Sequence, residues 1–161
     1  MEHSIHQFSI EGIDGQRIDL SLFKGKKLIV VNVASACGYT PQYRQLQELY
    51  EKFEDKLVIL GIPCNDFGGQ EPGDNQQILS FCSTRYGVDF PMAAKLSIKG
   101  PNAHPLYKWL GSKDLNGKMD TEVRWNFHKY LLDEGGELVK SLPSAVEPFD
   151  DVILDWLNAG H

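Results

Sequence analysis

The chain has no CxxC pair. Its three cysteines, Cys37, Cys64 and Cys82, are odd in number and cannot form a closed disulfide framework. Single thiols of this kind fit a reducing compartment, so a cytoplasmic location is expected. No Cys/His cluster has the spacing of a zinc site, and neither a metal nor a cofactor is expected. No apolar stretch approaches the roughly 20 residues of a membrane span. The opening MEHSIHQFSIEG lacks the basic start and apolar segment of a signal peptide. Positive charge is scarce too: 16 Lys and Arg face 22 Asp and Glu, a net charge of −6, which argues against nucleic acid as a partner. The glycine-rich FGGQEPG has neither the Lys nor the Ser/Thr of a phosphate loop. Repeats, low-complexity tracts and linkers are missing, and 161 residues at 42% hydrophobic composition suit one domain over residues 1–161.

What is present alternates strands with helices. HQFSI and RIDL, separated by EGIDGQ with its two glycines, read as an N-terminal β-hairpin. KKLIVVNVA and LVILGIP are apolar without alternation, the pattern of strands covered on both faces. PQYRQLQELYEKF reads as a helix, with Pro41 in its first turn and Tyr43, Leu46, Leu49, Tyr50 and Phe53 along one stripe. NQQILSFCSTRY reads as a second helix capped by Asp74 or Asn75, and HPLYKWLG as a third. Residues 111–121 read as loop. WNFHKYLLDEGGELVKSL reads as strand, Gly-Gly turn and strand, and PFDDVILDWLNAG as a closing amphipathic helix. The order predicts an α/β fold: a central mixed β-sheet flanked by helices on both faces. Ligands of such sheets gather at the carboxyl ends of the parallel strands. Cys37 follows one of those strands and the loop carrying Gln70 follows the next.

A thiol just ahead of a helix faces unpaired N–H groups and the positive end of the helix dipole, and both favour the reactive thiolate. The competing reading is a small buried hydrophobe. The small neighbours Ala34, Ser35, Ala36 and Gly38, which let a substrate approach, favour the reactive one. Thiolate chemistry in a hydrolase would need a histidine base, for which His104 and His128 are the candidates.

Five blocks together, NVASACGYTPQY, GIPCNDFGGQEPG, FCSTRYGVDFP, GPNAHPLYKWL and WNFHKYLLD, resemble the glutathione peroxidase family in its cysteine-containing form. They run in order over nearly the whole chain. The resemblance implies a thioredoxin-like fold and a catalytic tetrad of Cys37, Gln70, Trp125 and Asn126. It implies reduction of hydrogen peroxide and organic hydroperoxides through a sulfenic acid on Cys37. Taken alone, Gln70 would pass for a turn residue, Trp125 for a core aromatic and Asn126 for a cap.

The resemblance also implies that Cys82, in the block shared with thioredoxin-dependent members, is the resolving thiol. A Cys37–Cys82 disulfide is expected, with local unfolding around 80–87, since the two Cα atoms must come within about 7 Å. Cys64 reads as a packed thiol. Thioredoxin is the expected reductant, with glutathione as the other candidate; glutathione users in the family tend to have a basic rim and no resolving cysteine. Asp66 stands where the family more often has glutamine, and a carboxylate there would raise the Cys37 pKa by like-charge repulsion. Ser141 stands where an arginine is common. The short 111–121 segment lacks the insertion used for assembly by some tetrameric members, so a monomer is expected. A different class of function, a thioredoxin-like redox sensor or binding module, would share Cys37 oxidation without rapid turnover.

Overall fold

The structure, a computed structural model, describes residues 3–159. Strands β1 (Ser9–Glu11) and β2 (Arg17–Asp19) pair antiparallel with Ile10 opposite Ile18, as a two-stranded sheet of their own. The hairpin is shorter than the sequence suggested, because Ile5–Gln7 and Leu20–Phe23 wind into 3-10 turns capped by Ser4 and Asp19. Strand β3 (Lys27–Val33) runs parallel to β4 (Leu57–Pro63), and helix α1 (Gln42–Lys52) makes the crossover between them. Helix α2 (Asn75–Tyr86), helix α3 (Pro105–Gly111) and the single turn α4 (Lys113–Asn116) precede strands β5 (Lys129–Leu132) and β6 (Leu138–Leu142), and helix α5 (Asp151–Asn158) follows them. The main sheet has the order β4-β3-β5-β6, with β5 antiparallel to β3 and β6 antiparallel to β5.

Every residue of β3 and β4 is buried, which explains their unbroken apolar sequences. Alternate side chains serve opposite faces. Ile29, Val31, Val33, Leu57 and Ile59 pack with Tyr43, Leu46 and Leu49 of α1, with Ile78 and Cys82 of α2, and with Ile153 and Leu157 of α5. Leu28, Val30, Val58, Leu60 and Ile62 pack on the other face with Ile10, Leu20 and, from α3, Leu106 and Leu110. The sheet is thus mixed, flanked on both sides, and accompanied by an N-terminal hairpin.

Two stretches differ from expectation. Residues 111–121 contain α4, because the buried Asn116 amide donates to the carbonyls of Trp109 (2.9 Å) and Met119 (3.0 Å) and organises the segment around itself. Strand β5 begins only at Lys129, since Phe127 takes a left-handed backbone (φ 67°) that no strand accommodates. Trp125 and Asn126 therefore lie on a turn at the sheet edge where β3 and β4 end, not within a strand.

Candidate active site

Cys37 sits in a stack of turns between β3 and α1. Its N–H donates to Thr40 Oγ1 (2.8 Å), and that hydroxyl donates to the Ala34 carbonyl (2.8 Å). The Tyr39 N–H donates to Cys37 Sγ (3.3 Å). The sequence placed this thiol at a helix N-terminus. In the structure α1 starts at Gln42, and the N–H that meets the sulfur belongs to the preceding turn. The sulfur is close to the surface but not open, with Cys37 7% exposed.

Gln70 arrives from the loop after β4. The Ala36 N–H donates to the Gln70 carbonyl (3.1 Å), which fastens this loop to the Cys37 turn. Asn126 Nδ2 donates to Gln70 Oε1 (3.1 Å) and to the Phe67 carbonyl (3.2 Å). Using the amide oxygen in this way leaves the Gln70 NH2 group as a donor. Trp125 packs edge-on against Phe67, with ring centroids 6.3 Å apart, and covers Gly68. A Cβ at Gly68 would fall 2.7 Å from Trp125 Cη2, and its φ of +70° also demands glycine. Trp125 and Tyr39 share a cavity of about 510 Å³ with Arg124, His128, Pro143 and Ala145. The segments carrying Cys37, Gln70, Trp125 and Asn126 thus converge on one sheet edge.

The other two thiols are more deeply buried than Cys37. Cys82, 1% exposed on α2, shares the core face of Cys37. Burial pushes its pKa up to about 11; the charge of Glu71 adds to this, while the Tyr43 hydroxyl opposes it. That hydroxyl lies within reach of the thiol, though no partner meets it at ordinary hydrogen-bond geometry. Cys64, fully buried at the end of β4, belongs to the opposite face, and burial pushes its pKa up to about 12.

The Asp66 carboxylate is held by the segment at 97–99. Its carboxylate accepts from the N–H groups of Ile98 (2.7 Å) and Lys99 (3.2 Å) and from Ser97 Oγ (3.0 Å). Burial raises its pKa, but these hydrogen bonds outweigh burial and hold it below the usual carboxylate value. Its charge is felt by Cys64 on the far face. The histidines are engaged as well. His104 Nδ1 accepts from the Leu106 N–H (3.1 Å) and caps α3. His128 Nε2 pairs with Ser141 Oγ (2.7 Å), and burial drives its pKa down to about 4. Neither makes a hydrogen bond to Cys37, which removes the support for a Cys–His hydrolase.

Three supporting residues escaped the sequence reading. Asn32, buried within β3, donates through Nδ2 to the Trp125 carbonyl (3.1 Å), while its own carbonyl accepts from the Phe127 N–H (2.6 Å). Glu71 is buried beside Gln70. Its Oε1 accepts from the Ser35 N–H (3.1 Å) and the Ser35 hydroxyl, a second tie to the Cys37 turn. Burial raises its pKa against the pull of Ser35 and Lys95. Lys129, fully buried in β5, is the third. The signal for two of them was present: a polar residue inside KLIVVNV or KYLL must find buried partners. Among the described residues no group of three or more His, Cys, Asp or Glu side chains is placed to hold a metal ion, and no helix is long and apolar enough to cross a membrane.

Known proteins resemble this chain over most of its length. A glutathione peroxidase family model matches residues 5–111. The chain is 45% identical to a hydroperoxy fatty acid reductase of Synechocystis sp., covering 95% of this chain and 94% of that one. It is 42% identical to the glutathione peroxidase-like peroxiredoxin 2 of Saccharomyces cerevisiae, covering 92% of each. The crystal structure of Trgpx in apo form superposes with a TM-score of 0.73 at 34% identity, covering 96% of this chain and 95% of that one. A thiol:disulfide interchange protein of the thioredoxin family from Chlorobium tepidum shares the fold alone, at a TM-score of 0.62 and 18% identity. A thioredoxin-like sheet, a thiol at its parallel edge and relatives matched over nearly their full length lead to one conclusion: the chain belongs to the glutathione peroxidase family.

Proposed function

We propose that this family member is a thiol peroxidase in which Cys37 attacks a hydroperoxide. The observation that carries the reading is the Asn126–Gln70 amide pair fastened beside the Cys37 turn. The Cys37 thiolate attacks the distal oxygen of ROOH, forming an S–O bond and displacing the alkoxide RO−. The O–O bond breaks, Cys37 becomes a sulfenic acid, and the leaving alkoxide takes a proton to become ROH. The Gln70 NH2 and the Trp125 indole N–H are neutral donors that orient the peroxide and receive the developing negative charge without titrating, and Asn126, whose NH2 is engaged by Gln70 Oε1 and the Phe67 carbonyl, holds the Gln70 amide with its NH2 free to donate.

Cys82 then attacks the sulfenic sulfur, releasing water and forming the Cys37–Cys82 disulfide. Its shared core face with Cys37, and the opposite-face location of Cys64, support this pairing. Both thiols are packed in the reduced form, so closure needs α2 to loosen. A dithiol reductant of the thioredoxin class returns the disulfide to two thiols by exchange, with glutathione as the weaker candidate. The substrates are hydrogen peroxide and organic hydroperoxides. The apolar cavity wall of Trp125, Pro143 and Ala145, and relatives named for hydroperoxy fatty acids and phospholipid hydroperoxides, support a bulky organic part. A single domain over residues 1–161, acting as a monomer in the reducing cytoplasm, completes the reading.

The test is multiple-turnover peroxide consumption by wild type and Cys37→Ser, with thioredoxin or glutathione as reductant. Many equivalents consumed by wild type with thioredoxin, and none by Cys37→Ser, is the expected result. Consumption that stops after one equivalent would identify a sensor instead, and full activity of Cys37→Ser would overturn the reading.

A further inference from the structure

Lys129 is a cation with no exposure, on the central part of the sheet, and the chemistry above does not use it. Its Nζ donates to the Phe127 carbonyl (2.7 Å) and to the Ser144 carbonyl (3.0 Å). Each carbonyl belongs to a segment that matters. Phe127 closes the turn that presents Trp125 and Asn126, and it does so in a left-handed conformation unfavourable for a bulky residue. Ser144, with Pro143 and Ala145, forms one wall of the cavity beside Trp125. The same Ser144 carbonyl also accepts from Gln42 Nε2 (2.9 Å), so α1, the cavity wall and the Trp125 turn meet at one ammonium.

We propose that Lys129 is a positioning residue of the peroxidatic step: by clamping the Phe127 and Ser144 carbonyls, its ammonium holds Trp125, Asn126 and the cavity wall in working geometry around Cys37. The inference rests on the peroxidase reading above. A buried lysine satisfying two carbonyls is a costly way to close a strand if stability alone is at stake, because an apolar side chain would avoid desolvating the charge. Spending it on the turn beside the thiol ties the charge to that turn's conformation.

The clamp is sensitive to pH. Burial brings the Lys129 pKa down to about 7, and Glu147 opposes this by favouring the charged form. The other titratable neighbour is His128, itself neutral above about pH 4 and disfavoured as a cation partly by Lys129. Loss of the proton replaces an ammonium with a weaker amine donor, so the clamp is firmest below pH 7.

The experiment follows oxidation of Cys37 by hydrogen peroxide in a stopped-flow instrument, at several pH values between about 6 and about 8.5. Wild type is compared with Lys129→Met and with Glu147→Gln, an exposed position. The ratio of wild-type to Lys129→Met rate constants removes any pH dependence that the two proteins share. It should be about tenfold at the acid end, where a displaced donor set slows attack, and should fall as Lys129 loses its proton near pH 7. The wild-type to Glu147→Gln ratio should be near one at the acid end and rise near neutrality, because removing Glu147 releases the proton at lower pH. Should Lys129→Met fail to fold, the Glu147→Gln profile decides alone. A pH-independent Lys129→Met ratio, a folded Lys129→Met that reacts at the wild-type rate, or an unmoved Glu147→Gln profile would each overturn the proposal. A wild-type protein that reduces no peroxide would overturn the peroxidase reading itself, a different failure from a working peroxidase indifferent to Lys129.

Discussion

Cys64 and Cys82 are alike in burial and in their raised pKa values, yet they sit in very different mechanical surroundings. Cys64 extends β4, with its N–H on the Val33 carbonyl (3.2 Å), so moving it means opening the central sheet. Cys82 rides on α2, a twelve-residue helix whose fully buried side chains are Ile78 and Cys82. By contrast α1 buries five side chains, Gln42, Tyr43, Leu46, Gln47 and Leu49. A helix with few anchors opens at lower free energy than one docked along its length. Accessibility in the resting structure therefore does not separate a resolving thiol from an inert one; the cost of bringing each to the surface does.

The sharpest way to break this comparison is to remove each thiol. Cys82→Ser should reduce thioredoxin-supported turnover to background while Cys37 still reacts, leaving a sulfenic acid detectable with a dimedone-type probe. Cys64→Ala should keep turnover within about twofold and lower stability by about 1 kcal/mol through the lost packing. A peptide map of peroxide-treated protein dominated by a Cys37–Cys64 link would reverse the assignment.

Acid tests the static face. His128 packs its ring on Tyr130, a residue of the Cys64 face, with centroids 4.8 Å apart. Its pKa is lowered from 6.5 to about 4, so between those values the unfolded chain binds a proton that the folded chain refuses. Stability from this group is complete above pH 6.5 and is lost as pH falls toward 4, by up to about 3 kcal/mol. Urea denaturation of His128→Asn across that range should show a shallower acid decline than wild type. Equal slopes would remove the argument.

A smaller effect should appear at the α2 cap. Asp74 accepts from the Gln77 N–H (2.8 Å) and Gln77 Oε1 accepts from the Asp74 N–H (2.9 Å), a capping box. Asp74→Ala should loosen α2 by about 1 kcal/mol. If closure passes through an opened α2, disulfide formation should quicken about fivefold with Cys37 oxidation unchanged. An unaltered closure rate would mean that α2 does not open on the way. The least change is expected from Asp66→Asn: because its carboxylate serves Ser97 to Lys99 on the Cys64 side, the Cys37 oxidation rate should stay within about twofold.

The element order was legible because the strands are uniformly apolar and the helices carry clear stripes. The convergence of Cys37 and Gln70 at one edge followed from their positions after two parallel strands, and the Ala36–Gln70 contact bears that out. The turn at 125–128 was not legible, because a left-handed phenylalanine carries no local signature. The partners of Asp66 were not legible for a related reason. Sequence proximity to Gln70 says nothing about which way a loop carboxylate turns, and three donors at 97–99, far along the chain, decide it.

The sparse anchoring of α2 reaches past catalysis. Once Cys82 leaves the core, Ile78 remains as the helix's fully buried anchor, and Leu79, already 39% exposed, and Phe81 stand beside a loosened backbone. The oxidised chain should be nicked by a protease within residues 79–87 while the reduced chain resists. Chemical history would thus be displayed on the outside of the molecule as a cleavable ribbon, and a digestion pattern indifferent to peroxide would show that the ribbon stays furled.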